Sequence, residues 1–270
     1  MNLNDKYKLT YEIARDYLFN YIPKDHPKLT KPIIRKHLKP KPKPATLNEV
    51  FRILVSTISN RQFMKNAINF KEKESALKKI LFNFNPHRTI KRYKNPDNLL
   101  AQLKKHFELN LFSKQNKLRP WKIFSEGIIS GAQFLSKFND KTEFERFVDA
   151  FMYSTETKAA LPMVLGKLIK GIGFALACDF LKNIGYKDYP KPDEHLTDIF
   201  KELRLCKSDK QYDVYKSIVE MAEVVGETAY TVDATFWLIS SGNFYMDGIK
   251  IKGHKNEFIK FTRKRLKKHK

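Results

Sequence analysis

Apolar residues recur along most of this chain at the three- and four-residue spacing of an α-helix, and this periodicity constrains the fold most strongly. Clear stripes of this kind occupy residues 14–22, 47–58, 196–203 and 214–225, and residues 71–140 are mainly helical in character. Few segments alternate with the two-residue period of a strand. With 270 residues, 42% of them hydrophobic, the chain can bury a substantial core. We therefore expect a folded, mainly α protein with little sheet.

Prolines and lysines alternate from Lys39 to Pro44, and proline at every second position excludes a helix there. We expect residues 1–45 to form an N-terminal helix and a basic arm, in which the segment from Pro23 to Ala45 either follows a DNA backbone or is a solvated linker. The main body is then expected over 46–250. A basic tail is expected over 251–270, where a frayed, solvated terminus is favoured over a specific contact.

The chain carries 52 Lys and Arg against 29 Asp and Glu, a formal charge of +23. A positive field of this size attracts polyanions, so nucleic acid is the first candidate partner and an anionic membrane surface the second. A generally basic set of proteins in the source organism would give the same composition. The two cysteines, Cys178 and Cys206, are too few for a disulfide framework or an iron–sulfur cluster. The absence of a signal core or an 18-residue apolar run predicts a cytoplasmic protein that does not enter the membrane.

An apolar segment runs into Gly171-Ile172-Gly173, and a new helix is predicted from Phe174 to Ile184. Glycine permits positive backbone angles and a close approach to the backbone. The free N–H groups at a helix start bind phosphate, and Lys167 and Lys170 add positive charge beside this turn. A Gly-x-Gly turn also occurs between packed helices with a purely structural role. A second motif follows, in which prolines fix a loop before Asp193, at or just before a helix N-terminus, where aspartate is a common cap.

Together, these residues resemble the helix-hairpin-helix (HhH-GPD) superfamily of DNA glycosylases, in the group of endonuclease III and 8-oxoguanine DNA glycosylase. In that family an apolar–Gly–apolar–Gly hairpin is followed about twenty residues later by an aspartate and, two positions on, a histidine. Here Gly173, Asp193 and His195 have this spacing. The resemblance covers about residues 47–245. It implies two helical lobes over 46–250 and the excision of a modified base from double-stranded DNA.

The resemblance implies that Asp193 is the catalytic carboxylate. Bifunctional relatives place a nucleophilic lysine two positions after the second hairpin glycine, where this chain has Ala175. A monofunctional enzyme with water as the attacking group is therefore implied. The chain departs from the family at Pro192, where valine is usual, and at Lys170, where many relatives have proline. Neither departure removes the chemistry.

The resemblance also implies a set of DNA contacts. The predicted DNA-binding residues are Asn60, Arg61, Gln62, Lys167, Lys170, Gly171, Gly173 and His195. One residue of the turn at 60–62 would fill the gap left by the extruded base. His195 would bind a phosphate, hold Asp193 or be an ordinary first-turn residue. Backbone carbonyls of Lys167, Ile169 and Ile172 could hold K⁺ or Na⁺, and no other cofactor is expected.

The base pocket is less defined by the sequence. Stacking could come from an aromatic residue, although most of the candidates are expected in the core: Phe51, Phe63, Trp121, Phe124, Phe151, Tyr153, Phe236 and Trp237. Asp233 would cap a helix or read the base edge, and we favour the cap. Three function classes remain, namely a monofunctional glycosylase acting as a monomer, a non-catalytic helix-hairpin-helix DNA-binding protein, and a nuclease or lyase. The excised base stays open.

The charge and the hairpin lead to a first prediction about affinity. DNA binding should weaken steeply with salt, because each neutralised phosphate contributes about −0.9 to the slope of log K against log salt. Fluorescence anisotropy of a labelled duplex, at NaCl concentrations from about 50 to about 200 mM, measures this slope. Affinity that does not change over that range would contradict nucleic-acid binding.

Overall fold

A computed structural model describes residues 1–109 and 115–268 of the chain. Positions 110–114 of the predicted helical region and positions 269 and 270 of the predicted tail lie outside the described residues. The expectation of a mainly α protein is confirmed, because helices account for most of the described chain. Within it, strand is confined to Asn243–Phe244 (β1) and Ile249–Lys250 (β2), an antiparallel pair in which Asn243 is opposite Lys250. No helix of the described residues is long and apolar enough to cross a membrane.

The chain divides into two compact units. The central unit is Pro42–Ile184, and the terminal unit combines Met1–Lys41 with Gly185–Lys270. This division differs from the predicted boundaries at 45 and 250, since the N-terminal segment and the tail belong to one unit with the residues after 184. Periodicity could not reveal this, because it shows that a helix has an apolar face but not which distant helix covers it.

The central unit is built entirely from helices in its described part. Its helices are α4 (Leu47–Ser59), α5 (Lys65–Ile68), α6 (Phe70–Ile80), α7 (Pro86–Arg92), α8 (Pro96–His106), α9 (Gln115–Leu135), α10 (Lys141–Asp149), α11 (Thr155–Leu168) and α12 (Phe174–Asn183), following α1–α3 of the terminal unit. The predicted stripe on α4 is confirmed, because Val50, Leu54 and Ile58 are fully buried. Thr46 fixes the start of α4 by accepting a hydrogen bond from the Glu49 N–H at 3.2 Å.

The terminal unit contains the remaining helices. They are α1 (Leu3–Asp16), a π-helical turn (Tyr17–Tyr21), α2 (Ile22–Asp25), α3 (Lys31–Leu38), α13 (Glu194–Glu202), α14 (Gln211–Val225), α15 (Ala229–Ser241) and α16 (Lys255–Lys267), with a 3₁₀ turn (Tyr245–Asp247) between β1 and β2. Helix α15 is the most deeply buried, with ten of its residues in the core. It packs against α1, α3, α13, α14 and α16, so this one helix organises the unit.

The basic arm is shorter than the sequence predicts. Residues from Pro23 onward include the end of α2 and all of α3, and an extended chain begins only at Lys39. Pro23 and Pro32 lie at the first positions of their helices, where the missing N–H has no intrahelical partner to lose. The prediction extended the arm from the Lys39–Pro44 run back to Pro23, although the helix exclusion applied to that run alone. The Lys39–Pro44 run is non-helical, as predicted, and so is the short connection at residues 26–30.

The basic tail is an ordered helix, not a frayed terminus. Helix α16 buries Phe258, Ile259, Thr262 and Leu266, which recur at helical spacing along one face. Its cations occupy the opposite face, and Arg263 pairs with Glu202 of α13. The prediction of a frayed tail relied on the high density of lysine and arginine and did not weigh the four apolar or buried positions on the opposite face.

A buried histidine, His37, and a half-buried one, His254, give a pH prediction for the terminal unit. Burial lowers the pKa of His37, despite the opposing contact of its Nε2 with Asp247 at 3.1 Å, and burial also lowers the pKa of His254. Both imidazoles therefore favour the neutral form in the folded protein. The unfolded chain takes up the protons near the usual pKa of about 6.5, so this stability is present above that pH and is lost as the pH falls through it.

We expect the midpoint of urea unfolding to decrease as the pH is lowered from 7.5 to about 5.5. Each proton bound only by the unfolded chain lowers the free energy of unfolding by at most ~1.4 kcal/mol per pH unit. His37→Gln should flatten this dependence while lowering stability at pH 7.5, since glutamine does not titrate. An unchanged slope in the variant would show that His37 is not a source of the acid sensitivity. Carboxylates such as Asp247, whose pKa is lowered chiefly by its hydrogen bond from Lys36, act at lower pH.

Candidate functional site

The predicted hairpin in the central unit is a tight turn between two helices. Helix α11 ends at Leu168, α12 begins at Phe174, and Gly185 follows α12 with a φ of +92°, as expected for a residue after a helix end. The two hairpin glycines differ in conformation. Gly171 has a φ of +87°, which other residues rarely adopt, whereas Gly173 has a φ of −106° and an extended backbone. The fold therefore requires glycine at position 171 but not at 173.

Gly173 leaves open space at the start of α12. A Cβ atom placed on it would meet nothing within 4 Å. The residue is exposed, and as N-cap it offers no side chain to the first-turn N–H groups of α12. Lys167 and Lys170, which precede Gly171 in the chain, are exposed. An anion can come close to the backbone in such a geometry, and phosphate binding at this turn stays a prediction.

Small residues of α9 bring the hairpin close to the helix. The Lys170 N–H donates to Ser130 Oγ at 2.9 Å. A Cβ atom on Gly127 would lie 2.8 Å from the Lys170 carbonyl oxygen and 2.9 Å from the Ile58 side chain. Gly127 therefore permits the contact of α9 with both the hairpin and the end of α4.

The polar turn after α4 lies beside the same part of α9. Ile58 is near both Gly127 and Gly171, and the turn at Asn60, Arg61 and Gln62 begins two residues later. Asn60 and Gln62 are exposed, while Arg61 is half-buried. The structure thus places the two predicted DNA-binding segments of the central unit next to each other.

Phe63 is one of the aromatic residues that the sequence analysis gives as stacking candidates. It is 44% exposed, and the guanidinium groups of Arg61 and Arg119 lie 5.1 Å and 5.7 Å from the centre of its ring. Most of the other aromatic candidates are core residues as expected: Phe51, Trp121, Phe124 and Phe236 are buried, Phe151 and Trp237 are half-buried, and Tyr153 is 93% exposed. Phe63 directly follows the polar turn at residues 60–62, and among the stacking candidates it keeps a large exposed fraction.

Asp193 in the terminal unit is the N-cap of α13, as the sequence predicts. Its Oδ1 accepts hydrogen bonds from the backbone N–H groups of His195 at 3.0 Å and Leu196 at 3.3 Å. Within the described part of the chain, Oδ2 accepts no hydrogen bond, and the residue is only half-buried. One carboxylate oxygen therefore holds the side chain in place, and the other is free to meet a ligand.

His195 is held by α15. Its Nδ1 lies 2.7 Å from Ser240 Oγ, and its ring meets the edge of Trp237. Only the backbone N–H of His195 bonds to Asp193, so its imidazole does not position the carboxylate directly. The ring is half-buried. Of the three predicted roles, phosphate binding through Nε2 stays open, and a role as an ordinary first-turn residue does not account for the bond to Ser240.

Asp233 does not cap α15, and that prediction is wrong. Thr228 is the N-cap of this helix, and Asp233 lies inside it, fully buried. Its Oδ2 accepts a hydrogen bond of 2.7 Å from the Lys191 N–H. Because Pro190 and Pro192 have no N–H, Lys191 supplies the one backbone donor of this three-residue run. Asp233 therefore anchors the loop two residues before Asp193.

The loop is restrained further by its own backbone and by its burial. The Asp193 N–H donates to the Lys191 carbonyl at 2.8 Å. Tyr189, Pro190 and Pro192 are buried, while Lys191 is half-exposed. Asp193 thus follows a loop with little freedom, which keeps the position of its carboxylate fixed relative to α15.

The described residues contain no group of three or more His, Cys, Asp or Glu side chains that could hold a metal ion. Cys178 is buried in α12 and Cys206 is half-buried in the terminal unit. The proposed cation site would use backbone carbonyls, with Lys167 in the last turn of α11, Ile169 as its C-cap and Ile172 in the hairpin. K⁺ or Na⁺ binding there stays a prediction.

Comparison with known proteins gives no assignment for these residues. No family model, curated protein or solved structure matches the chain. The glycosylase hypothesis consequently depends on the sequence motifs and on the geometry of the hairpin and of the Asp193 loop.

The two hairpin glycines should respond differently to substitution. Gly173→Val should leave the fold nearly unchanged but obstruct an approaching phosphate, with a loss of DNA affinity of about tenfold or more, since hydrogen bonds to charged groups contribute about 1.5–3 kcal/mol. Gly171→Val should instead destabilise the protein by about 1–2 kcal/mol through its positive φ. Anisotropy and thermal unfolding measure the two effects. If Gly173→Val binds duplex DNA as tightly as the parent does, the hairpin has only a structural role.

Proposed function

We propose that this protein is a monofunctional DNA glycosylase with the helix-hairpin-helix fold, which hydrolyses the N-glycosidic bond of a modified base. The observation that carries the proposal is the state of Asp193. Its carboxylate is fixed by helix capping through Oδ1, leaves Oδ2 free, and follows the hairpin at the spacing typical of the superfamily.

DNA binding would begin at the hairpin. The first-turn N–H groups of α12 and the side chains of Lys167 and Lys170 favour a phosphate beside Gly173. The double-stranded partner fits the formal charge of +23. A cation held by the hairpin carbonyls would add positive potential at the same turn, without any part in the bond cleavage.

Extrusion of the base would depend on the turn after α4. A base inside a duplex must leave the stack before its glycosidic bond can be reached, at a cost of a few kcal/mol. Asn60, Arg61 or Gln62 would fill the vacated space, as the resemblance implies. Phe63 would add a stacking surface, because an exposed ring near two guanidinium groups can pack on a nucleobase while the cations attract the phosphates.

Hydrolysis would use Asp193 in two ways. As the bond from the sugar C1′ to the base nitrogen breaks, the base takes the electron pair and positive charge develops on the sugar. The free Oδ2 would stabilise that charge and accept a proton from the water whose oxygen bonds to C1′. The carboxyl then releases this proton through solvent, and the departed base takes up a proton, so the products are a free base and an abasic site in an intact strand. Ala175 offers no amine, so no Schiff base forms at that position.

Asp233 would act as a positioning residue in this scheme. Its buried hydrogen bond to the Lys191 N–H fixes the approach of the chain to Asp193, and Ser240 fixes His195 just after it. Both anchors lie on α15. A displacement of about 1 Å at the carboxylate would weaken its effect on the sugar cation, since such geometry strongly affects rates.

The capping bonds of Asp193 favour one alternative, a non-catalytic helix-hairpin-helix DNA-binding protein. In that case Asp193 only stabilises α13, and the charge and the hairpin provide the whole function. The two functions differ in what happens to the DNA. A binding protein leaves every base attached, whereas a glycosylase creates alkali-sensitive sites.

Substitution of Asp193 by asparagine tests the proposal. Asparagine caps a helix as well as aspartate does, but it lacks the charge, so base release should slow by about 10²–10³, corresponding to 2.7–4 kcal/mol. DNA affinity should be retained or rise, since a negative charge near phosphates is removed. Release is measured on a panel of duplexes, each with one modified base, by alkali cleavage at abasic sites.

Asp140→Asn is the matched control, because Asp140 is likewise an N-cap aspartate, at the start of α10, and should keep parental activity. Borohydride should trap no covalent adduct with the parent. Full activity of Asp193→Asn on a confirmed substrate would reduce Asp193 to a cap. Efficient borohydride trapping would mean that a lysine amine acts as the nucleophile.

A further inference from the structure

We propose that a cleft in the terminal unit binds a phosphate ester. The cleft has a volume of about 270 Å³ and is formed by the end of α1, the π-helical turn and α3. The residues that line it are Arg15, Asp16, Phe19, Asn20, Lys31 and Arg35. All precede residue 42, outside the segment that resembles a glycosylase, so this site is distinct from the proposed DNA contacts of the hairpin.

One half of the cleft is fixed by ion pairs. Arg15 contacts Glu227 at 2.7 Å, and Asp16 accepts a bond of 3.1 Å from Arg265 and another of 3.0 Å from the Asn20 amide. The negative charge of Asp16, the one acidic residue of the lining, is therefore offset by Arg265. Neither the wall nor its charge depends on a ligand.

The other half carries two cations without acidic partners in the described part of the chain. Lys31 and Arg35 are exposed, four residues apart on the same face of α3, and make no ion pair or hydrogen bond there. Helix α3 contains no acidic residue. Like charges at this spacing repel each other and weaken a helix. An anion bound between them would relieve this repulsion.

The lining favours a phosphate ester over a simple anion. The planar guanidinium of Arg35 suits phosphate oxygens, and Lys31 supplies a second charge. Phe19 gives a half-buried apolar wall, with the Arg15 guanidinium 5.5 Å from its ring centre. An apolar surface beside cations accommodates the organic part of the ester. The volume suits one phosphate with its sugar or base, from a DNA backbone or from a free nucleotide.

The double variant Lys31→Ala/Arg35→Ala tests the site in the full-length protein. Its matched control is Lys260→Ala/Lys264→Ala, which removes two exposed cations at the same spacing from α16 in the same unit. Circular dichroism and the unfolding temperature without ligand establish that both variants fold. Arg35→Gln is a milder variant that serves if the double variant is unstable.

Two measurements distinguish the sources of the phosphate. Anisotropy of an unmodified labelled duplex over a salt series detects a DNA backbone contact, and the thermal shift caused by AMP at constant ionic strength detects a free nucleotide. For DNA, the salt slope of the Lys31/Arg35 variant should decrease in magnitude by about 0.9 per lost phosphate relative to the control. For a nucleotide, the AMP shift should disappear in this variant and persist in the control.

The proposal is overturned if the Lys31/Arg35 variant matches the parent in both measurements. It is also overturned if the control loses as much as the variant, because the general positive field would then explain the result. Neither measurement requires base release, so both test this site even if the protein has no glycosylase activity.

Discussion

A fully buried carboxylate inside α15 supports the arrangement on which the proposed chemistry depends. Asp233 accepts the Lys191 N–H at 2.7 Å, in a run whose flanking prolines offer no other backbone donor. Burying a carboxylate is costly unless hydrogen bonds satisfy it, so this contact ties the loop firmly to the core of the terminal unit. The position of Asp193 is then a consequence of α15, which also holds His195 through Ser240. A capped helix alone would not need these anchors.

The hairpin shows how the fold separates structural from functional glycines. Gly171 satisfies a backbone angle, and Gly127 permits the contact of α9 with the hairpin. Gly173 is required for neither a positive φ nor a close packing contact, since its φ is ordinary and a Cβ atom there would meet nothing within 4 Å. A glycine that the fold does not require, at the exposed start of a helix beside two lysines, is best explained by the close approach of an anion.

The sequence predicted the local features and missed the long-range ones. The helical class, the turn between α11 and α12, and the cap at Asp193 follow from short-range periodicity, glycine and proline, and these were correct. The pairing of residues 1–41 with 185–270, the packing of α16 and the anchor at Asp233 depend on contacts between distant segments. Asp233 in an apolar run signalled a buried carboxylate, but its partner, a backbone N–H 42 residues away, has no sequence signature.

The affinity for a sugar-like cation tests the central claim most directly, because it requires no knowledge of the excised base. A duplex in which a positively charged pyrrolidine replaces one sugar resembles the charge that develops during cleavage, and a neutral tetrahydrofuran duplex is its matched control. Since transition-state analogues bind at least about 10²-fold more tightly than ground-state ligands, the account predicts a preference of that order for pyrrolidine, which Asp193→Asn abolishes. Equal affinity of the parent protein for the two duplexes would contradict a catalytic role of Asp193.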